Sequence, residues 1–391
     1  MDGILGEGYM RASQLFLAFA MTAMAFCLFV SGASAQPATL RSDAWMANGG
    51  AVNAIVHNNG ITYIGGEFTS VSMPTGIGVM LSTRPTALPF LLPKIIKSNT
   101  PPLIATPVIN AVVSDGAGGW YVGGNFNRVE NDSVGYKHLI HIFANDSLDL
   151  AWKPNPDKQV FALALHGDRL YVGGEFENIG VPPQSIRFLA ALHAATGEVV
   201  TEWNPKAGGG TVRALAVDAL AVDGPIIYAG GSFTNIDIDR RNRIAAIKSV
   251  DGKATKWNPD ISGTQVNTIA LAGTTVYAGG NFTSVGAESR NHIAAINAVT
   301  GNPFLSWNPH VSGVTTSTQT SVQAVIVSGS TVYIGGNFST ISLPSMPSIP
   351  PISRSNLAAL KVTTGEATGW RPVASDPVNA LAISGSTIYA G

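Results

Sequence analysis

Residues 276–285 read VYAGGNFTSV, and the core of that stretch, Tyr277-X-Gly279-Gly280-X-Phe282, returns along the chain. The same Tyr-X-Gly-Gly-X-Phe pattern starts at Tyr63, Tyr121, Tyr171, Tyr228 and Tyr333, and a seventh copy begins at Tyr389 and stops at Gly391. Successive tyrosines are separated by 58, 50, 57, 49, 56 and 56 residues. A period of this size signals a repeat architecture. The unit 266–309 holds four strand-like segments, 266–272, 275–282, 292–298 and 304–307. Gly273-Thr274 separates the first two and Thr300-Gly301-Asn302 the last two. Short apolar runs joined by glycine-containing turns are hairpin signals.

Four antiparallel strands per unit, repeated radially, describe a β-propeller. The alternative, a solenoid of β coils, lacks two tight hairpins per unit. The units run 52–109, 110–159, 160–211, 212–265, 266–321 and 322–377, and a seventh starts at Val378 and ends after two strands. Trp45 precedes Val52 much as Trp203 precedes Val212, so residues near Trp45 read as the fourth strand of a blade whose other strands lie elsewhere. The expected fold is therefore all-β, a seven-bladed propeller of four-stranded antiparallel blades over 36–391, with its last blade truncated. The first unit is degenerate. Between Ser82 and Val108 it carries six prolines and no Trp-Asn-Pro, which is incompatible with central strands and reads as a loop or irregular outer edge.

The N-terminus has Arg11, an uncharged apolar run over 15–30, and then Ala33-Ser34-Ala35. That order is the pattern of a cleaved signal peptide over 1–35. A membrane anchor is the alternative, and the run is short for a span of roughly 20 residues. The one cysteine, Cys27, lies inside this segment. The expected product is exported, secreted or at the cell surface or in a periplasm, with no membrane span after cleavage. Without disulfides, its stability must come from a large core. Charged residues make up 12% of the chain and its formal net charge is -1, with no block of like charge. That excludes the electrostatic footprint of a nucleic-acid binder.

The Gly-Gly pairs invite two readings. A phosphate cradle needs a following helix N-terminus, and no helical periodicity follows. A structural reading has a large neighbour lying on the bare strand. Trp152, Trp203, Trp257, Trp307 and Trp370 recur once per unit, each two residues before a proline, and are the expected occupants. The residue after Gly-Gly is polar in every full copy: Glu67, Asn125, Glu175, Ser232, Asn281 and Asn337. These six are candidate ligand-binding residues, or turn and bulge residues satisfying backbone groups. Arg187, Arg243, Arg290 and Arg354, before the third strands, are a second candidate set, or solvated strand ends.

Segments such as AALHAATGEVVTEW (190–203) resemble the tryptophan-docking motif of quinoprotein propellers. The resemblance is structural, and the motif's acidic position holds His193, Asn297 or Lys361. No quinone, metal or other cofactor is expected, and no Gly-X-Ser-X-Gly, His-Glu-X-X-His or P-loop is present. His138 and His141, three apart on a predicted strand, point to opposite faces. The DGAGG stretch at 115–119 aligns with first-hairpin turns and lacks the ligand spacing of a calcium loop.

Turns between third and fourth strands are tight, and those between first and second mostly so. Connections from second to third strand vary, with 339–356 the longest, and so do those from fourth to first, with 310–321 the longest. In an up-and-down blade these two variable classes share a face, and binding residues concentrate on variable loops over a rigid scaffold. Taken together, Tyr-X-Gly-Gly-X-Phe, RNHIAAINAVTG (290–301) and Trp-Asn-Pro resemble the bacterial delta-sixty-repeat β-propeller family, which is similar at a distance to fungal cortical-marker proteins. The resemblance implies fold and export and carries over no catalytic residue. The expected function is binding of a protein or glycan partner by the variable face. The alternatives are a quinoprotein-like or glycan-processing propeller enzyme, or a structural spacer between domains.

Overall fold

Each repeat opens on a strand with alternate residues buried, as in the burial of Val160, Ala162 and Ala164 along Val160–His166. A tight turn returns it as Arg169–Gly174, and Leu189–His193 pairs with that second strand on its other edge. In this computed structural model the residues described are 47–58, 61–68, 107–127, 135–222, 224–314, 319–344 and 350–391, with short strands and isolated positions elsewhere. They belong to one unit, Pro37–Gly391, and contain no helix. Residues 1–35, expected to be a signal peptide, lie outside the described residues, as do Trp45 and most of the proline-rich stretch 83–106. Within that stretch, Phe90–Leu91 pairs with Gly78–Ser82 as a two-residue outer edge of the first repeat.

The first strands are Val52–Asn58, Val108–Ser114, Val160–His166, Val212–Asp218, Ile261–Ala272, Ser321–Ser328 and Leu381–Ser384. The second repeat thus begins at 108 rather than 110. Each first strand lies against the first strand of the next repeat, and Val52–Asn58 lies against both Val108–Ser114 and Leu381–Ser384. Contacts between the last and first repeats include a stack of Tyr389 on His57 with centroids 5.9 Å apart. Asn379 Nδ2 also donates to Asn53 Oδ1 at 3.4 Å.

The glycine pair has an occupant other than tryptophan. A Cβ on the first glycine would meet the valine that opens the next repeat. The gap to Cγ1 would be 2.6 Å for Gly123 on Val160, Gly173 on Val212, Gly230 on Val266, Gly279 on Val322 and Gly335 on Val378. Gly65 meets Ile109 in the same way, and Gly391 meets Val52 at 2.5 Å to its Cβ. The second glycine faces the first strand of its own repeat, where the register shifts by a bulge, as between Val160 and Ala162 or Val212 and Ala214. A Cβ on Gly231 would run into the Thr211 carbonyl. Both glycines therefore admit close approach, one of a side chain between repeats and one of backbone within a repeat.

Tryptophan does pack on glycine between repeats, but on the glycine of the third-to-fourth turn. A Cβ on Gly197 would lie 3.1 Å from the Trp152 ring and one on Gly252 3.5 Å from Trp203. Each indole Nε1 donates to a carbonyl of the next repeat: Trp152 to Ala194 (2.9 Å), Trp203 to Lys248 (2.9 Å), Trp257 to Asn297 (2.9 Å) and Trp307 to Lys361 (3.0 Å). The motif tyrosine of the same repeat meets the indole edge-on at Trp203, Trp257 and Trp307, at 5.0 Å between centroids for Tyr171 and Trp203, and at a tilt of 42° for Tyr121 and Trp152. Edge-to-face geometry with a satisfied N–H is the favoured burial of an indole.

The expected fourth strand shrinks to one bridge residue in repeats two to six: Leu148, Val199, Ala254, Pro303 and Ala367. The chain turns immediately afterwards, with Trp203 N donating to Val200 O and Trp307 N to Phe304 O. Swinging the indole back onto the next repeat is incompatible with continuing an extended outer strand.

Candidate functional site

The two variable connections share one face because they hydrogen-bond to each other. Ala207–Gly208, before the fourth repeat, pairs with Asn235–Ile236, which pairs with Asp239–Arg240. His310–Ser312 pairs with Thr340–Ser342, and that strand with Ile352–Ser353. In the fifth repeat the first and second strands run on together, pairing Ile261 with Val285, and Glu288–Ser289 adds a third strand. Near the N-terminus Ala47–Asn48 pairs with Ser70–Val71. The loops are thus short β-ribbons in a second tier. Ile238, at a ribbon tip, is 93% exposed, and Val181, in the corresponding turn of the third repeat, is 70% exposed.

A left-handed residue links this tier to the sheets. His138, Phe188, Arg243, His292 and Asn356 have φ of 61°, 63°, 67°, 70° and 62° and sit immediately before third strands. Each amide donates to the carbonyl of the motif phenylalanine, as His292 N does to Phe282 O at 3.0 Å, and each carbonyl accepts from the second motif glycine. The two bonds hold a conformation that L-residues adopt reluctantly.

His138 is therefore a pre-strand residue, and its Nδ1 is buried with no hydrogen-bond partner. Burial pushes its pKa down to about 4. The folded protein keeps this imidazole neutral, whereas the unfolded chain takes up a proton below about 6.5. The repeat should lose stability as pH falls from about 6.5 towards 4, by roughly 3 kcal/mol at the lower end. His138→Asn, which copies Asn356 of the sixth repeat, should flatten that part of the pH profile, as read by urea midpoints at pH values across the window.

His141 lies within its strand between two carboxylates, 3.0 Å from Asp149 and 3.3 Å from Asp115. Asp115 also accepts from the amides of Ala117 and Gly119, at 2.8 and 2.7 Å, which fixes the DGAGG stretch as a hairpin turn.

The six polar residues after Gly-Gly stand where the first strand enters from the ribbon tier. Glu67 is exposed, Asn125, Glu175, Ser232 and Asn281 are half-buried, and Asn337 is buried. Several bond to the start of their own first strand or the segment leading into it. Glu175 accepts from Gln159 Nε2 at 2.7 Å, and Ser232 Oγ accepts from Thr211 N at 3.0 Å. Gln319 draws two repeats together: its Oε1 accepts from Asn281 Nδ2 at 2.8 Å and its backbone carbonyl from Asn337 Nδ2 at 3.2 Å.

The four arginines separate. Arg290 is 1% and Arg354 5% exposed. Each spans two carbonyls, Ser289 and Phe304 for Arg290 (2.7 and 3.1 Å), Ser353 and Thr368 for Arg354 (2.8 and 2.6 Å). Their counterpart in the fourth repeat is Arg241, on the carbonyls of Arg240 and Thr255. It is missed by aligning on Arg243, which lies two residues later and holds Gly263 O at 3.2 Å. Arg187 is exposed.

A further set was not anticipated. The bulged residues of the first six first strands, Asn53, Asn110, Phe161, Arg213, Asn267 and Gln323, and the matching Asn379 just ahead of the seventh are half-buried. Asn110 Nδ2 donates to Val160 O at 3.0 Å and Asn267 Nδ2 to Val322 O at 3.2 Å, each reaching the next first strand. Together they form an inner rim. The signal available in sequence was the residue between Val or Ile and Ala or Thr at the start of each unit.

No family model matches this chain, and no curated protein matches it significantly. Among solved structures it is similar to the WD40 beta propeller domain of Doa1, at TM-score 0.51 and 10% identity, over 89% of this chain and 93% of that one. It is also similar to Saccharomyces cerevisiae Sqt1, at TM-score 0.51 and 9% identity, over 86% and 90% of the two chains. The computationally designed Ika8 protein aligns at TM-score 0.50 and 11% identity, over 88% and 94%. Identities this low speak to architecture alone, and the architecture, all-β repeats of antiparallel sheet around an inner rim of first strands, is that of a β-propeller.

Proposed function

We propose that this chain is an exported, non-catalytic interaction scaffold: a seven-bladed ring whose ribbon tier binds a protein or glycan partner. The observation that carries the reading is that the variable connections are paired β-ribbons on one face. Their backbone is preorganised, which lowers the entropy cost of binding, and their tips present apolar side chains to solvent at Val181 and Ile238. Ring closure is supported by the seating of Gly391 on Val52 and the bond from Asn379 to Asn53. Export rests on the N-terminal pattern, and membership of the delta-sixty-repeat family rests on the recurring motif. Glu67, Asn125, Glu175, Ser232, Asn281, Asn337, Arg187 and Arg243 stand on or beside this face, whereas Arg290 and Arg354 brace it from beneath.

Replacing the tip of the longest connection, residues 343–351, with a short glycine-serine turn should weaken capture of surface extracts by the protein while leaving its thermal midpoint within about 2 °C of the parent. Capture that is unchanged would remove this ribbon from the binding face. Carbohydrate-array binding by the parent chain distinguishes glycan from protein partners.

A further inference from the structure

Arg213 is the one cation among the seven rim residues. Its guanidinium lies 4.3 Å from the centroid of the Phe161 ring, the bulged residue of the preceding repeat. Among the described residues it has neither an ion pair nor a hydrogen bond, and its Nε is buried without a partner. Burial pushes its pKa down, with Glu175 opposing that shift at a distance. Glu175 is itself engaged by Gln159 at 2.7 Å. Arg241, Arg290 and Arg354 also bury an Nε without a partner, but each of them spends two terminal N–H groups on carbonyls, and Arg213 spends none.

A guanidinium stacked on an aromatic face keeps its in-plane N–H groups free for a planar, bidentate acceptor. Leaving such a group half-desolvated and unpaired is costly, and an oxyanion would offset that cost. One neighbouring rim amide extends the site. Asn110 uses Nδ2 on the Val160 carbonyl, which leaves its Oδ1 as an acceptor for a hydroxyl near the Phe161 side of the site, whereas Asn267 is tied down at both ends, by Val322 O and by Gln265 Nε2 at 2.7 Å.

We propose that the inner rim around Arg213 and Phe161 is a binding site for an oxyanion, a carboxylate or phosphate carried by a polyhydroxylated small molecule or glycan end. It goes beyond the ribbon face, and the two readings are tested by different variants. D-glucuronate, inorganic phosphate and, as a neutral control, D-glucose are titrated calorimetrically into the full chain at constant ionic strength. Glucuronate, phosphate or both should bind and glucose should bind more weakly, and which anion binds identifies the carboxylate or the phosphate source. Arg213→Gln should weaken anion binding at least about tenfold, the equivalent of losing one charge-assisted hydrogen bond. Arg213→Lys, which keeps the charge but not the fork, should weaken it by less, and Lys253→Gln, at an exposed turn cation away from both faces, should leave it unchanged. The proposal is overturned if neither anion binds at concentrations up to about 10 mM. It is equally overturned if a folded Arg213→Gln protein, shown by an unaltered thermal midpoint, binds as the parent does.

Discussion

Trp203→Ala should lower unfolding stability by about 3–5 kcal/mol, the range for truncating a large buried aromatic. The indole is fully buried, so its removal leaves a cavity between the third and fourth repeats. It also strips the Lys248 carbonyl of an indole donor at 2.9 Å and the Tyr171 ring of its edge-on neighbour at 5.0 Å. Neighbouring repeats contact mainly each other, so an interface lost at one point weakens coupling on both sides. Urea unfolding followed by far-UV circular dichroism should show an earlier midpoint and a broader transition. The same change at Trp370, only half-buried, should cost clearly less. A loss at Trp203 below about 1 kcal/mol, the range of ordinary surface changes, would mean that the docked indoles do not hold the repeats together.

Gly173→Ala is the second large effect, expected at about 1–3 kcal/mol as an overpacking substitution. The added Cβ would sit 2.6 Å from Cγ1 of Val212, which is fully buried and opens the next repeat. Val212→Ala alone should also cost about 1–3 kcal/mol through the cavity it leaves. Combined, the two should cost less than their sum by at least about 1 kcal/mol, because the new methyl group occupies space the valine vacates. Purely additive losses in a urea double-mutant cycle would rule out the glycine as a seat for the valine. The cycle bears on the whole architecture, since the same pairing recurs from Gly65 on Ile109 to Gly391 on Val52.

Much of the fold was legible because its signals are local. The tyrosine, glycine pair and phenylalanine mark every second strand, and turns such as Thr300-Gly301-Asn302 mark the hairpins. What misled was the assumption that the bare glycines and the recurring tryptophan, each once per unit, must meet each other. They are both contact points between repeats, but at different levels of the sheet. Tryptophan lies over the third-to-fourth turn, and valine lies over the second strand. A four-strand template likewise hid that Pro303 and Leu305-Ser306 end the outer edge so that Trp307 can turn inward.

The candidate site was less legible. Arg290 and Arg354 look like exposed charges in a polar loop, yet a guanidinium can satisfy several carbonyls at once, and the structure uses them that way. Arg213 sits in an apolar strand, where nothing nearby in sequence marks it as unpaired. Local sequence was enough for the repeat, the strand order, the tight turns and the tryptophan that closes units two to six, because each is written in residues a few positions apart. Tertiary packing set which glycine receives which side chain, that the variable loops pair as ribbons, and that residues opening neighbouring first strands reach across to one another, as Asn110 does to Val160 and Arg213 to Phe161. Those outcomes depend on side chains roughly 50 residues apart in sequence being stacked by the repeat spacing, a juxtaposition that no local pattern encodes.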